Sequence, residues 1–282
     1  MDTACLNHRL TEPEREAFDR DGYFIVPDAL SPDLVARVET VMDRLDAEFR
    51  PAKEKGPNDP LGIHDFIGKD PVFLDLLDCP KTILKVCDIL GWNIQLYHSD
   101  YRYTPPRVLE ERAEQKRFGW HQDSGRLNRE LEGSPRPRVS LKVAFFISDT
   151  SQPGRGNFHI IPGSHLQNKI DFPEDGTNPA TATPALAAPG TAVIFDRRLW
   201  HAVSPNDSEF TRKVLFYGYS YRWLRPRDDM TVHHIIDDCE PIRRQLLGAS
   251  ANGGFGYTSP KDDDVPLKLW LAEHLGADTV AD

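Results

Sequence analysis

Four cysteines in 282 residues leave this chain little sulfur chemistry. Cys5, Cys79, Cys87 and Cys239 form no close CxxC pair, which argues against a zinc knuckle. Cys79 and Cys87 fall in or beside a helical pattern and read as reduced, core-filling thiols. Long apolar runs are missing too. No stretch approaches a membrane span, and the N-terminal residues hold no run of signal-peptide length. The last residues, Thr279-Val280-Ala281-Asp282, are not a peroxisomal address. The expectation is a cytoplasmic enzyme. Positive charge is in deficit: 34 Lys and Arg stand against 44 Asp and Glu, a net charge of −10. That argues against nucleic acid or an anionic membrane as the main partner, and leaves room for a small anion in a locally basic pocket. No internal repeat is visible.

What the chain has is core material. The apolar fraction is 39% and the charged fraction 28%, which suits a globular protein of one large domain or two small ones. The expected organisation is a single domain over 1–282, with a helical part at 1–92, a strand-rich core at 93–222 and a C-terminal extension at 223–282. Thr11 and Glu14 form a capping box for a helix over 11–20. Asp21-Gly22 ends it, and 23–26 read as a strand. Ser31 and Pro32 open a second helix. Leu34, Val35, Val38, Val41, Met42 and Leu45 carry it at helical spacing to about position 49. Residues 50–65 read as a loop, 71–77 and 81–90 as helices, and 93–103 as a strand. The charged run 107–117 is either a solvated face or a mobile flap, and 124–138 is a polar insertion. Strands follow at 139–148, 157–161, 191–195 and 211–221. Short strands with Gly/Pro turns indicate a sandwich or barrel, and the preceding helices make the class α+β with a mainly β core. The tail reads as a helix over 238–247, a flexible loop over 253–256 and a helix over 266–275.

The chain is organised around Trp120-His121-Gln122-Asp123. On an extended strand, His121 and Asp123 point to the same face. His201 follows the strand expected over 191–195. Two histidines and one carboxylate on one side of an iron(II) ion leave the opposite positions open for a co-substrate and oxygen. His-x-Asp alone is a weak signal, equally met in surface pairs that make hydrogen bonds. Arg212 adds to it. On a strand Arg212, Val214, Phe216 and Gly218 share a face, and a guanidinium on an apolar inward face needs a partner. A bound carboxylate, gripped through two parallel hydrogen bonds, is one solution. An internal ion pair with a distant acid is the other.

These motifs in this order resemble the phytanoyl-CoA dioxygenase family of Fe(II)/2-oxoglutarate-dependent oxygenases. The similarity runs from Leu10 to about Tyr221. It takes in Phe18-Asp19-Arg20-Asp21-Gly22-Tyr23, Tyr103-Thr104-Pro105-Pro106, Trp120-His121-Gln122-Asp123-Ser124 and Gly156-Asn157-Phe158-His159-Ile160-Ile161-Pro162-Gly163-Ser164-His165. It closes with Trp200-His201 and Arg212. The string Ile161 to His165 is the most specific. The resemblance implies a double-stranded β-helix, or jelly roll, with N- and C-terminal helices packed outside. It implies Fe(II) on His121, Asp123 and His201, and 2-oxoglutarate with its far carboxylate on Arg212. It implies O2-dependent conversion of 2-oxoglutarate to succinate, coupled to hydroxylation of a small organic substrate. The carboxylate at Asp123 favours hydroxylation over halogenation, for which this fold often has a small residue there. Desaturation, epimerisation and ring closure use the same triad. A jelly-roll protein that binds a metal or metabolite without turnover, and a cupin-like isomerase or hydrolase, are the readings from other classes.

Two positions depart from the family pattern. Thr104 stands where a lysine often helps hold the co-substrate, and Lys142 where many members have tryptophan. Lys142 shares a strand face with Ala144 and Phe146, so it either points at 2-oxoglutarate or snorkels to the surface. Gln95, Tyr97, His98 and Arg126 are candidates for the substrate pocket. Arg102, Arg107, Arg126 and Arg129 flank its expected mouth; they either mark an anionic substrate, such as a carboxylate, phosphate or coenzyme A thioester, or are ordinary surface arginines. His159, His165, His233 and His234 are left outside the metal site. Substrate choice falls to the loops at 50–69, 104–118, 124–138 and 222–262.

Overall fold

The computed structural model describes residues 1–108 and 116–281. Most of the charged run expected to be a solvated face or flap lies outside the described residues. The elements in chain order are α1 (Glu12–Asp21), β1 (Tyr23–Val26), α2 (Pro32–Ala52), β2 (Leu61–His64), α3 (Leu74–Leu77), α4 (Ile83–Leu90), β3 (Ile94–Thr104) and α5 (Gly125–Glu130). There follow β4 (Ser140–Phe146), β5 (Phe158–Ile160), β6 (Thr183–Ala185), β7 (Ala192–Asp196), β8 (His201–Val203), β9 (Arg212–Tyr221), α6 (Pro241–Leu246), α7 (Phe255–Thr258) and α8 (Pro266–Leu275).

The strands form a six-stranded sheet, in the order β1-β7-β4-β9-β3-β2, and a three-stranded sheet, β6-β5-β8. Every pairing is antiparallel. Side-chain alternation explains the two cores. On β9, Leu215, Tyr217 and Tyr219 face the helices, and Tyr217 and Tyr219 donate their hydroxyls to Phe73 O and Leu77 O. Val214 and Phe216 face the small sheet, where they meet Ala144, Phe146, Phe158 and Phe195. The result is the α+β jelly roll with helices outside. No helix among the described residues is long and apolar enough to cross a membrane.

Local signals built most elements as read. Thr11 Oγ1 caps the Glu14 N–H while Glu14 accepts from the Thr11 N–H, a closed capping box. Gly22, at φ +85°, ends α1 in a left-handed turn. The Ile161–His165 string packs there: Gly163 N donates to Asp21 O at 2.9 Å, and a Cβ on Gly22 would lie 2.6 Å from the His165 ring. Two distant sequence motifs are thus one corner of the fold.

Some expectations need correction. The loop expected over 50–65 begins inside α2, which runs to Ala52, and contains β2, whose Leu61 and Ile63 are buried. The polar insertion holds α5, and the glycine-rich stretch expected to be a flexible loop ends in α7. β6 was not expected, because Pro184 suits only an edge strand, which is where β6 lies. The strand expected at 120–123 is a single bridge, His121 to His201; the chain then turns at Ser124, φ +59°, into α5.

Candidate active site

His121 and His201 meet through the backbone first. His121 N donates to His201 O at 3.0 Å, and His201 N to His121 O at 2.9 Å. The two rings therefore lie side by side, with centroids 4.3 Å apart. Each ring is turned by a carbonyl two residues back: His121 Nδ1 lies 2.9 Å from Gly119 O, and His201 Nδ1 2.8 Å from Leu199 O. A carbonyl only accepts, so each Nδ1 carries a proton and each Nε2 is the nitrogen left to face a ligand. Burial pushes the His201 ring down to about 4, with Asp123 opposing, which keeps it the neutral ligand form.

Asp123 is held on three sides. Its N–H donates to Arg197 O at 3.0 Å, its C=O accepts from Asn128 Nδ2 at 2.7 Å, and its Oδ1 accepts from Lys142 Nζ at 2.8 Å. Arg197, itself fully buried, also bonds Asn128, so the start of α5 is anchored beneath the site. The second carboxylate oxygen, Oδ2, is buried without a hydrogen-bond partner and lies 3.8 Å from His201 Nε2. Burial alone would raise this carboxyl. The Lys142 charge, then His201, outweigh it and hold the group well below its usual range. One donor atom from each of His121, Asp123 and His201 lies within 4.8 Å of the others. Two imidazole nitrogens and an orphaned anionic oxygen fit a divalent metal ion of the facial-triad type.

Arg212 opens β9 in the same cavity, with 1% of its surface exposed. Its Nε and Nη2 have no hydrogen-bond partner. Burial, with Arg102 nearby, pushes it down to about 9. Gly156 makes room for it, since a Cβ there would lie 2.9 Å from Arg212 Cδ. An interior guanidinium with two free N–H groups fits a dicarboxylate ligand. Thr104 pairs with Arg212 across β3 and β9 and lines the cavity.

The cavity encloses about 1100 Å³ and holds the triad, Arg212, Lys142, Tyr97 and Arg126 among its walls. Tyr97 OH lies 3.3 Å from Ser124 Oγ, and Arg126 pairs with Glu130 on the exposed side of α5. Lys142, buried, is spent on Asp123. Arg102 and Arg107 also line the cavity. Gln95 and His98 are not among its walls. Gln95 donates to Arg222 O and Leu224 O, and His98 bonds Asp228. His159 sits on β5 against Phe118, with its ring pushed down to about 4 by burial. Asn128, Arg197, Arg225, Arg227 and Asp228 were not singled out in the sequence, where each is one more polar residue in a polar loop.

A second cluster, His64, His98 and Asp100, also brings three donor atoms within 4.8 Å. It suits a cation poorly. Asp100 Oδ2 accepts from Arg102 Nε at 2.6 Å, and the Arg227 guanidinium stands 3.5 Å from His98 Nε2.

The model of the phytanoyl-CoA dioxygenase (PhyH) family matches residues 18–214. The ectoine dioxygenase of Nocardia farcinica is 26% identical over 234 residues, covering 72% of this chain and 75% of that protein. The crystal structure of EctD from S. alaskensis with bound Fe shares the fold at a TM-score of 0.60 and 21% identity, over 78% of this chain and 81% of that one. HygX from Streptomyces hygroscopicus, with nickel and 2-oxoglutarate bound, does so at 0.58 and 19%, over 77% and 90%.

Proposed function

This chain belongs to the phytanoyl-CoA dioxygenase family, and on that premise we propose a role for each residue of its site. The protein is a non-haem Fe(II)/2-oxoglutarate-dependent oxygenase. His121, Asp123 and His201 bind the iron. Arg212 takes the far carboxylate of 2-oxoglutarate, with Thr104 beside it. The observation that carries this reading is the pair of unmet needs in one cavity: the orphaned Asp123 Oδ2 facing the triad, and the buried Arg212 N–H groups. Either alone would be a defect in a native core. Together they are the two ends of a metal-chelating dicarboxylate site.

Iron with 2-oxoglutarate and O2, when bound, supplies the oxidising power, with 2-oxoglutarate leaving as succinate and carbon dioxide. The chain supplies position and charge. Lys142 holds Oδ1, so Asp123 would have a single free oxygen, Oδ2, to offer a metal ion. Phe158, Phe195 and Phe216 pack behind His201 and keep water from that side. The remaining volume accommodates a small organic substrate, for which hydroxylation is the proposed outcome. We read 1–282 as one catalytic domain in the cytoplasm.

The test is anaerobic. Fe(II) and 2-oxoglutarate added to the ligand-free protein should give the weak visible charge-transfer band of the chelate. The band should vanish in His121→Ala and need far more 2-oxoglutarate in Arg212→Ala. Metal binding without any band in the wild type would overturn the co-substrate assignment.

A further inference from the structure

The cavity is basic although the chain is acidic. Among the described residues lining it, seven are Lys or Arg and three are Asp, against a net −10 for the whole sequence. Most of these cations are already committed. Lys142 holds Asp123, Arg102 holds Asp100, Arg107 holds Asp207 and Arg126 holds Glu130. Arg212 is reserved for the co-substrate. Two remain, Arg225 and Arg227, in the segment that follows β9. Both line the cavity, and neither forms a salt bridge with an acid among the described residues.

Both side chains are exposed, but the segment that carries them is anchored. Strand β3 pins the segment at Leu224, Arg227 and Asp228. Gln95 Nε2 donates to Leu224 O at 2.9 Å. The pairing of β3 with β9 slips at Tyr97, between Leu96 and His98. That bulge frees the Tyr97 carbonyl to accept from Arg227 N at 2.8 Å and Asp228 N at 3.2 Å. The Asp228 carboxylate, buried, then accepts from Ser99 N at 2.6 Å and Ser99 Oγ at 3.0 Å, and lies 2.8 Å from His98 Nδ1. A His98 ring that donates through Nδ1 presents its lone pair at Nε2, 3.5 Å from Arg227 Nη1. The backbone of Arg227 and one end of its guanidinium are thus both set by β3. Gln95 and His98 do not touch the cavity; they fix what does.

We propose that Arg225 and Arg227 form an oxyanion subsite for the primary substrate. The substrate therefore carries a carboxylate, phosphate or sulfate group, held at the cavity mouth while the rest of the molecule reaches the iron. This assignment rests on the oxygenase reading for the word substrate, but the anion site itself does not need it. His98 and Asp228 are positioning residues for Arg227. The pairing makes physical sense, because a planar guanidinium with fixed direction binds an oxyanion bidentately with little further ordering.

The experiment uses sulfate as the probe. The protein is loaded anaerobically with Fe(II) and 2-oxoglutarate and titrated with sulfate by calorimetry at constant ionic strength, and the ligand-free protein is titrated in parallel. Saturable binding is expected in both, at one site in the loaded protein and at that site plus Arg212 in the ligand-free one. In Arg225→Gln/Arg227→Gln it should weaken by roughly tenfold or more. His98→Phe should weaken it by a smaller factor. The 2-oxoglutarate midpoint of the charge-transfer band should stay unchanged in all variants. Absence of saturable sulfate binding in the wild type, or equal binding in the double variant, overturns the subsite. A shifted 2-oxoglutarate midpoint with unaltered sulfate binding also overturns it, and gives the two arginines to the co-substrate. If no charge-transfer band forms at all, the oxygenase reading fails, while the titration of the ligand-free protein still decides whether the anion site exists.

Discussion

Lys142 Nζ lies 2.8 Å from Asp123 Oδ1, and both side chains are buried in the wall of one cavity. The lysine is therefore the counter-ion of the carboxylate that we propose as a metal ligand. It leaves one oxygen of that carboxylate, Oδ2, facing the two imidazoles.

This pair predicts a non-additive mutant cycle. Lys142→Met should destabilise the ligand-free protein by about 3–5 kcal/mol, because it strands a buried carboxylate. Asp123→Ala should do the same by stranding the ammonium. The double variant should be more stable than either, a coupling visible in denaturant midpoints. Lys142→Met should also weaken Fe(II) binding or change the charge-transfer band, since Asp123 is then free to chelate through both oxygens. Independent, additive costs would show that the pair is not coupled.

Arg212 predicts opposite effects on stability and binding. Arg212→Met removes a buried, unsatisfied guanidinium and should raise the stability of the ligand-free protein by about 1–4 kcal/mol. It should weaken 2-oxoglutarate on the order of 100-fold, as two charged hydrogen bonds are lost. Thermal melts with and without 2-oxoglutarate read both effects, because the ligand shifts the wild-type melting point and not that of the variant.

Gly156 tests the packing around that guanidinium. It sits at φ +66°, and an added Cβ would lie 2.9 Å from Arg212 Cδ. Gly156→Ala should cost roughly 1–2 kcal/mol for the left-handed backbone and also raise the 2-oxoglutarate midpoint. Gly154, at φ +82° with open space around its Cβ position, is the control. Gly154→Ala should show the stability loss alone.

Asp196 predicts the acid limb of stability. Its carboxylate accepts from Arg198 at 2.6 Å and from Arg138 at 2.8 Å. Burial would raise its pKa, but these arginines, Arg198 first, outweigh that and hold it below the usual carboxylate range. A depressed folded value contributes stability that is fully present above the unfolded value near ~3.9 and lost as pH falls through the folded one. Asp196→Asn should lower stability by about 3–5 kcal/mol at neutral pH. The gap to wild type should narrow as pH drops below about 4. Melting temperatures across that range check the sign.

How far the sequence could be read depended on the kind of signal. Motif order singled out His121, Asp123 and His201, which the structure brings together, and alternation along β9 gave the inward face of Arg212. Capping boxes and Gly/Pro punctuation placed most helices. Alternation also put Lys142 on the inner face of β4, but no local rule says which carboxylate from which loop will meet it. β2 escaped notice because it lies in a stretch rich in Pro, Lys and Gly, and β6 because Pro184 interrupts it. The bulge at Tyr97 hid the roles of Gln95 and His98. One slipped residue changes what a strand offers to its surroundings, and a hydrophobic pattern does not record it.

The reciprocal backbone bonds between His121 and His201, with the Asp123-to-Arg197 bond beside them, have a thermodynamic consequence. A metal ion there would cross-link positions 123 and 201, far apart in sequence, yet hydrogen bonds already hold those two segments together. Most of the loop-closure entropy has been spent before any ion arrives. Removing the metal with a chelator should therefore leave the jelly roll folded, and metals should exchange at the site without a refolding step. Metal choice then becomes a matter of coordination chemistry and of supply in the cell, rather than of assisted folding.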